Sequence, residues 1–281
     1  MKNSSVVNIK SILGLLLITT SSVSFCQQAA IVKYLTELPK NLKLDNNRPQ
    51  TYNVSIHWIN RDLDGNLINN NIVKAKYARG FENGFVRWED VRLTNIRDTA
   101  QYENQLTELN GLTYKIIGDN FTKKEFYDSF PKEGMDIDII RWLVQDAVGI
   151  EVYGWMYFDS LKFNQVFYPN FFKNQRIKME NYVNFTSQGL SLCWTSISKM
   201  NNEMCAIIHY QSMHNPIDAN TDVMKLHGRS TYWGDIWISL TNKHIEYATM
   251  NEDVIFKMIL TANKYEQKLD LQREVVFEKT N

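Results

Sequence analysis

From residue 51 onward, apolar and polar residues alternate with a period of two, the mark of half-buried strands. Tyr52, Val54, Ile56 and Trp58 share one phase, opposite Asn53, Ser55 and His57. Val73, Ala75 and Tyr77 mark a second strand. In residues 85–93, Val86 and Trp88 lie on one phase and Val91 and Leu93 on the other, so a slip near Asp90 predicts a β-bulge. Before these strands, residues 31–38 are weakly helical and Pro39 ends them. Residues 95–120 are polar and specify no element. Between residues 122 and 161 the period becomes helical. Thr122 and Glu125 form a capping box for a short helix that Pro131 closes. Ile140, Leu143, Val144, Ala147, Val148 and Val152 then stripe one face of a longer helix beginning near Asp136. Gly149 and Gly154 each cost about 1 kcal/mol against Ala in a helix interior. The aromatic, β-branched run that follows leaves 150–161 open between helix and strand.

Strands return at 176–278 as a meander. Its alternating sets are Ile177/Met179/Val183/Phe185, Leu190/Leu192/Trp194, Met204/Ala206/Ile208/Tyr210, Ile236/Ile238/Leu240, Val254/Phe256/Met258/Leu260 and Leu269/Leu271/Val275/Phe277. Glycine and proline are few for so many turns, but 29 asparagines take their place, because Asn tolerates the left-handed conformation. Turns are expected at Asn69-Asn70-Asn71, Asn201-Asn202 and Asn242-Lys243. One apolar and one wet face per strand means antiparallel pairing. The fold class is therefore mainly β with helices (α+β). It is a large curved antiparallel sheet or half-barrel of about ten strands, covered by mid-chain helices. A single domain over 27–281 holds strands at 51–94, a helical insert at 122–161 and the meander at 176–278.

The N-terminus reads as a signal peptide over residues 1–26. Lys2 and Lys10 precede a short apolar core at 12–18, and small residues lead to Ser24-Phe25-Cys26. Cleavage between Cys26 and Gln27 is expected, with lipid anchoring at Cys26 as the alternative, disfavoured by the bulk of Phe25. Export places the chain in the periplasm or outside the cell. No later stretch reaches the roughly 18 apolar residues of a spanning helix, so no transmembrane helix is expected in the mature chain. The 31 basic residues balance 31 acidic ones, and losing Lys2 and Lys10 leaves a net of −2. That balance gives no basic footprint for nucleic acid.

Candidate chemistry is sparse. In a two-residue Asn201-Asn202 hairpin, Cys193 faces Tyr210, Cys205 faces Ser198 and His209 faces Trp194, too far apart for a disulfide. Neither thiol has a His-and-acid pattern beside it in sequence. The run Asn60-Arg61-Asp62-Leu63-Asp64-Gly65-Asn66 resembles the start of a calcium loop, but position twelve is Asn71 and the plainer reading is a hairpin turn. His209 and His214 match no zinc spacing. Asp146 interrupts an apolar helix: buried, it demands a partner, and the ordinary alternative is an exposed helix residue. No nucleophile elbow, phosphate loop or dinucleotide fingerprint is present, so no catalytic residue, metal or cofactor is assigned. The compositional anomaly is residues 153–172, of which nine are aromatic. They either fill a core, line an apolar site through Trp155, Phe158, Phe163, Phe167, Phe171 and Phe172, or form a docking patch.

The stretch Tyr232-Trp233-Gly234-Asp235-Ile236-Trp237-Ile238-Ser239-Leu240, followed by Ile245-Glu246-Tyr247-Ala248-Thr249-Met250, is similar to stretches in uncharacterised exported bacterial proteins. The long meander over helices resembles the periplasmic lipoprotein-carrier half-barrels over about residues 176–278. It departs from them in opening with three strands. The resemblance implies a non-catalytic binder of a lipid, acyl chain or lipoprotein. A structural or partner-docking protein of the cell envelope is the alternative, and a hydrolase a weaker third.

Overall fold

The computed structural model describes residues 31–35, 37–44, 48–82, 84–97, 100–115, 124–130, 136–179 and 183–280. The expected signal segment, with Cys26 and Gln27, lies outside these residues, as do Thr122 and Pro131 of the expected short helix. Thirteen strands form one open, curved antiparallel sheet. They are β1 (Gln50–Asp62), β2 (Leu67–Arg79), β3 (Phe85–Arg97), β4 (Ala100–Gln105), β5 (Thr113–Lys115), β6 (Val166–Phe167) and β7 (Arg176–Met179). Then come β8 (Val183–Thr186), β9 (Ser191–Met200), β10 (Glu203–Asn220), β11 (Met224–Ser239), β12 (Ile245–Leu260) and β13 (Glu266–Thr280).

The path through the sheet is β4-β3-β2-β1-β13-β12-β11-β10-β8-β7. The N-terminal strands join the meander through the β1–β13 pair, in which Val54 faces Phe277 and Ile56 faces Val275. Each flank is shared by two strands. Strand β10 pairs β9 along one half and β8 along the other, and β3 divides likewise between β5 and β4.

Bulges supply these divisions. On β3 the ladder shifts opposite Lys74–Lys76, with Asp90 at φ 53°, so Val86, Trp88, Val91 and Leu93 are all buried. That is the expected slip. On β10 the shift falls between Ser212 and Asn215, with His214 at φ 57°.

Turn chemistry accounts for the hairpins. Asn201 and Asn202 take φ 50° and 65°, the primed turn that suits strand twist. Lys243 takes φ 62° in the β11–β12 turn. The first hairpin turns instead at Leu63-Asp64-Gly65, and Asn69, Asn70 and Asn71 become strand residues facing Asn60, Ile59 and Trp58. Asp62 captures that turn by accepting the N–H groups of Asp64 and Asn66, which leaves the triple asparagine no turn to make. The expected strand through 177–185 is in fact the β7–β8 pair.

Residues 31–35 form a short helical stretch. The mid-chain α-helix, α1 (Asp136–Trp155), lies across the sheet, accompanied by 3-10 turns at Lys124–Ser129, Phe158–Ser160 and Asn170–Phe172. It runs through both glycines, so 150–155 is helix. Gly154 has a packing reason: a Cβ there would meet Ile238 Cδ1 at 3.3 Å and Ile236 Cγ2 at 3.4 Å. At the other end Trp142 packs on Trp58, ring centroids 5.6 Å apart. Leu143, Val144, Ala147, Val148 and Ile150 are buried against the sheet. No helix among the described residues is long and apolar enough to cross a membrane.

Candidate functional site

Strands β10 to β13 run well past the helix. On the face that α1 covers, Ile208, Ile236, Ile238, Ala248 and Val275 are fully buried. Further along the same strands and the same face, Leu226, Val254, Phe256, Met258, Leu260 and Leu271 are only half-buried. The register puts Leu226 beside Met258, Leu271 beside Val254, and Leu269, which is buried, beside Phe256. An apolar half-face therefore continues beyond the closed core.

A belt of polar side chains separates the two halves. Arg273 Nη1 donates to Asp146 Oδ2 at 2.9 Å, and its Nη2 lies 2.6 Å from Glu252 Oε2. Ser230 Oγ donates to Glu252 Oε1 at 2.5 Å. Asn215 Nδ2 donates to the Ser230 carbonyl at 3.3 Å, and the Gln188 N–H donates to Asn215 Oδ1 at 2.9 Å. Ser212 Oγ donates to the Gly189 carbonyl at 2.6 Å. Tyr153 and Tyr232 join hydroxyls at 3.2 Å. Asp146, Ser212, Asn215 and Ser230 are buried. The bulge at His214 is what turns Asn215 into this row.

Two carboxylates on one guanidinium leave an excess negative charge in a closed interface. Burial pushes the Asp146 carboxyl up to about 7, against the pull of Arg273 and with a further push from Glu252. The exposed-residue reading of Asp146 is thus overturned. Its neighbours in the helical stripe fix the side that faces the sheet, and Asp146 shares that side. Arg273, Glu252 and Ser230 were missed in the sequence. A signal was there: Arg273 interrupts the phase Leu271-x-Arg273-x-Val275, and Glu252 interrupts Met250-x-Glu252-x-Val254.

Three of the six aromatic candidates adjoin: Phe171 packs on Phe172 at 5.1 Å, and Tyr157 contacts both Phe172 and Phe167. Phe158 is fully buried and Phe172 nearly so. Phe172 packs on Tyr153 at 5.6 Å, Phe163 on Trp194 at 5.2 Å and Phe167 on Tyr157 at 5.5 Å. Trp155 Nε1 donates to the Lys243 carbonyl, and Arg79 stacks on its ring at 4.1 Å. Phe171 is exposed, together with Val166 and Tyr168.

The remaining candidates are placed as follows. Cys205 faces Ser198, as the turn requires. A bulge at Thr195 then shifts the ladder by one, so His209 faces Cys193 and not Trp194, and Cys193 no longer faces Tyr210. On its other side His209 Nδ1 meets Asp235 Oδ1 at 3.0 Å. Cys, His and Asp thus sit side by side on three strands, a juxtaposition invisible in the sequence. Burial raises the Cys193 thiol, which keeps it protonated and opposes nucleophilic use. The hydrogen bond to Asp235 raises the His209 imidazole. The Asp62 oxygens, which a calcium ion would need, are occupied by Asp64 N–H, Asn66 N–H and Asn66 Nδ2. No cluster of three metal-ligating side chains occurs among the described residues. An open depression beside the Asp90 bulge, bordered by Lys76, Arg87, Glu89 and Thr113, is polar, and Arg87 pairs with Glu89 at 3.4 Å. Compared with protein-family models and with curated proteins, the sequence matches none.

Proposed function

We propose that the protein is an exported, non-catalytic binder of an apolar ligand (a lipid, acyl chain or lipoprotein) seated on the open half-face of β11–β13. One observation carries this reading. Along single strands, apolar side chains of one phase pass from fully buried at Ile238 and Ala248 to half-buried at Leu226, Phe256 and Met258. Regular apolar alternation where no described element covers it suits a surface that receives an apolar guest. The aromatic cluster, packed on itself and on the sheet, is then the support of the helix. The test is native mass spectrometry of protein purified from its own host, with fluorescent fatty-acid titration alongside. Co-purifying lipid is expected, as is binding that Phe256→Glu with Leu226→Glu weakens at least tenfold. Repeated absence of lipid, with no fatty-acid binding, would sink the reading.

A second reading, docking to an envelope partner, is favoured by the exposure of Val166, Tyr168 and Phe171 on and beside edge strand β6. A photo-reactive residue at position 168 should then give one reproducible adduct. The same residue at exposed Tyr102, on the opposite edge strand β4, should give none.

A further inference from the structure

The register brings three hairpin tips to one end of the sheet, the end away from Gly154. They are the β1–β2 tip at 63–66, the β10–β11 tip at 221–223 and the β12–β13 tip at 261–265. These six strands are consecutive in the order β2-β1-β13-β12-β11-β10, so neighbouring tips are two strand spacings, about 10 Å, apart across the sheet. The second and third are level, and the first stops about three residues, roughly 10 Å, short of them along the strands.

Turn positions favour polar residues, yet each tip carries an exposed apolar one: Leu63 (56%), Val223 (70%) and Tyr265 (53%), with Leu67 and Ile68 exposed behind the first. Part of the backbone at each tip is internally satisfied, by the same device three times. Asp62 accepts the N–H groups of Asp64 and Asn66; Thr221 Oγ1 accepts those of Val223 and Met224; Asn263 Oδ1 accepts that of Tyr265. A carbonyl at each tip is engaged too. Val223 O accepts from Thr261 N–H, which ties the second tip to the third, Tyr265 O accepts from Leu260 N–H, and Gly65 O accepts from Arg61 Nη1.

A turn whose polar backbone groups are already partly paired loses less on leaving water. Single apolar side chains spaced at about 10 Å or more, with Asp64, Asp222 and Lys264 between them, present no continuous patch for a protein partner to cover. They suit a medium that is apolar everywhere and charged at its border. Acidic and basic residues alternate at this end (Arg61, Asp62, Asp64, Asp222, Lys225, Lys264, Glu266, Lys268), which suits a zwitterionic border rather than an anionic one.

We propose that this end of the sheet docks on the interface of a phospholipid bilayer through Leu63, Val223 and Tyr265. The open half-face of β11–β13 begins directly behind it, with Met258 and Leu260 next to the tips, so a docked sheet meets the membrane with its apolar face leading inward. That last link rests on the ligand reading above; the docking itself does not.

The experiment is co-sedimentation with phosphatidylcholine vesicles at low salt and at 1 M NaCl. It compares protein from its own host with the triple variant Leu63→Asp, Val223→Asp, Tyr265→Asp. The unaltered protein should pellet with vesicles at both salt concentrations. The variant should lose at least tenfold in partitioning, with an unchanged thermal melt, since all three side chains are exposed. Docking is overturned if the unaltered protein stays in the supernatant, if salt abolishes its binding, or if the variant pellets as well as the parent. Fatty-acid binding without vesicles, measured on both proteins, separates the two readings. If neither binds the probe while vesicle binding and its loss are seen, docking stands and the ligand reading falls.

Discussion

Two residues show how little tolerance the interface has. Gly234 faces Tyr210 across the β10–β11 pair. The Tyr210 hydroxyl reaches over it to donate to the Thr249 carbonyl at 2.9 Å. A Cβ at 234 would sit 2.0 Å from Thr249 O and 2.7 Å from the Tyr210 hydroxyl. Gly234→Ala is therefore expected to destabilise by about 3 kcal/mol, the scale of overpacking, and Tyr210→Phe by about 1 kcal/mol for the lost hydrogen bond. Urea unfolding of the two variants checks the order. Asp146 makes a pH prediction with a definite sign. Its native carboxyl, raised to about 7 by burial, holds a proton more tightly than an unfolded one near 3.8. Stability is then highest below about pH 4 in this respect and falls as pH rises towards 7, where the loss levels off. Between pH 5 and 8 the fall attributable to this group is about 3 kcal/mol. Asp146→Asn should remove it, so the difference between parent and variant in urea midpoint should itself change with pH. A difference constant from pH 5 to 8 would show that Asp146 does not titrate there.

At the scale of elements, the helix is held to the sheet by packing at its ends, by the Arg273 guanidinium at Asp146, and by buried Glu151. The Glu151 carboxylate accepts from the Tyr77 hydroxyl at 2.8 Å and pairs with Arg79 at 3.4 Å. Removing Arg273 takes the counter-charge from buried Asp146 and half-buried Glu252, which costs about 3–5 kcal/mol. Arg273→Ala should show that loss. Adding Asp146→Asn and Glu252→Gln to it should recover most of it, because the uncompensated charge, and not the missing ion pair, dominates. If the triple variant is as unstable as Arg273→Ala, the guanidinium acts by filling space. The same elements show what the sequence made legible. Strands β1 and β2 were readable because their apolar phases are unbroken, and β13 because Leu269, Leu271, Val275 and Phe277 keep one phase on either side of Arg273. The Asp90 bulge of β3 was readable because it shifts the phase. The helix past Gly149 was not, since its stability comes from contact with Ile236, Ile238 and Ile245, residues some ninety positions away. The Thr195 bulge was equally hidden: Thr195 differs in no local property from its neighbours, and only the ladder reveals that His209 meets Cys193. The polar belt stood half in view, as three charged residues each interrupting an apolar phase, but their meeting depends on which strands are adjacent.

For the molecule as a whole, the division of one sheet face into a closed and an open half makes a prediction about local stability. Strand β12 pairs with β13 over residues 247–259 and with β11 on its other side. The β11 ladder is interrupted at Thr249 and Met250 and shifted at Glu246, so pairing is no tighter at 246–250 than further along. What differs is the cover: Ala248 and Met250 lie under the helix, whereas Phe256, Met258 and Leu260 lie beyond it. Opening free energy follows buried apolar contact, so the amides of 256–260 should exchange with solvent deuterium at least tenfold faster than those of 246–250, a difference of about 1.4 kcal/mol. An apolar guest on the open half would close that gap, because it binds the ordered strands and not the opened ones. Protein stripped of lipid should therefore show the gradient along β12, and protein saturated with a fatty acid should show it flattened, with exchange at 246–250 unaltered. Slowing that spreads evenly over the strand would mean general stabilisation and a guest seated elsewhere. Slowing confined to residues 163–172 would return the site to the aromatic segment.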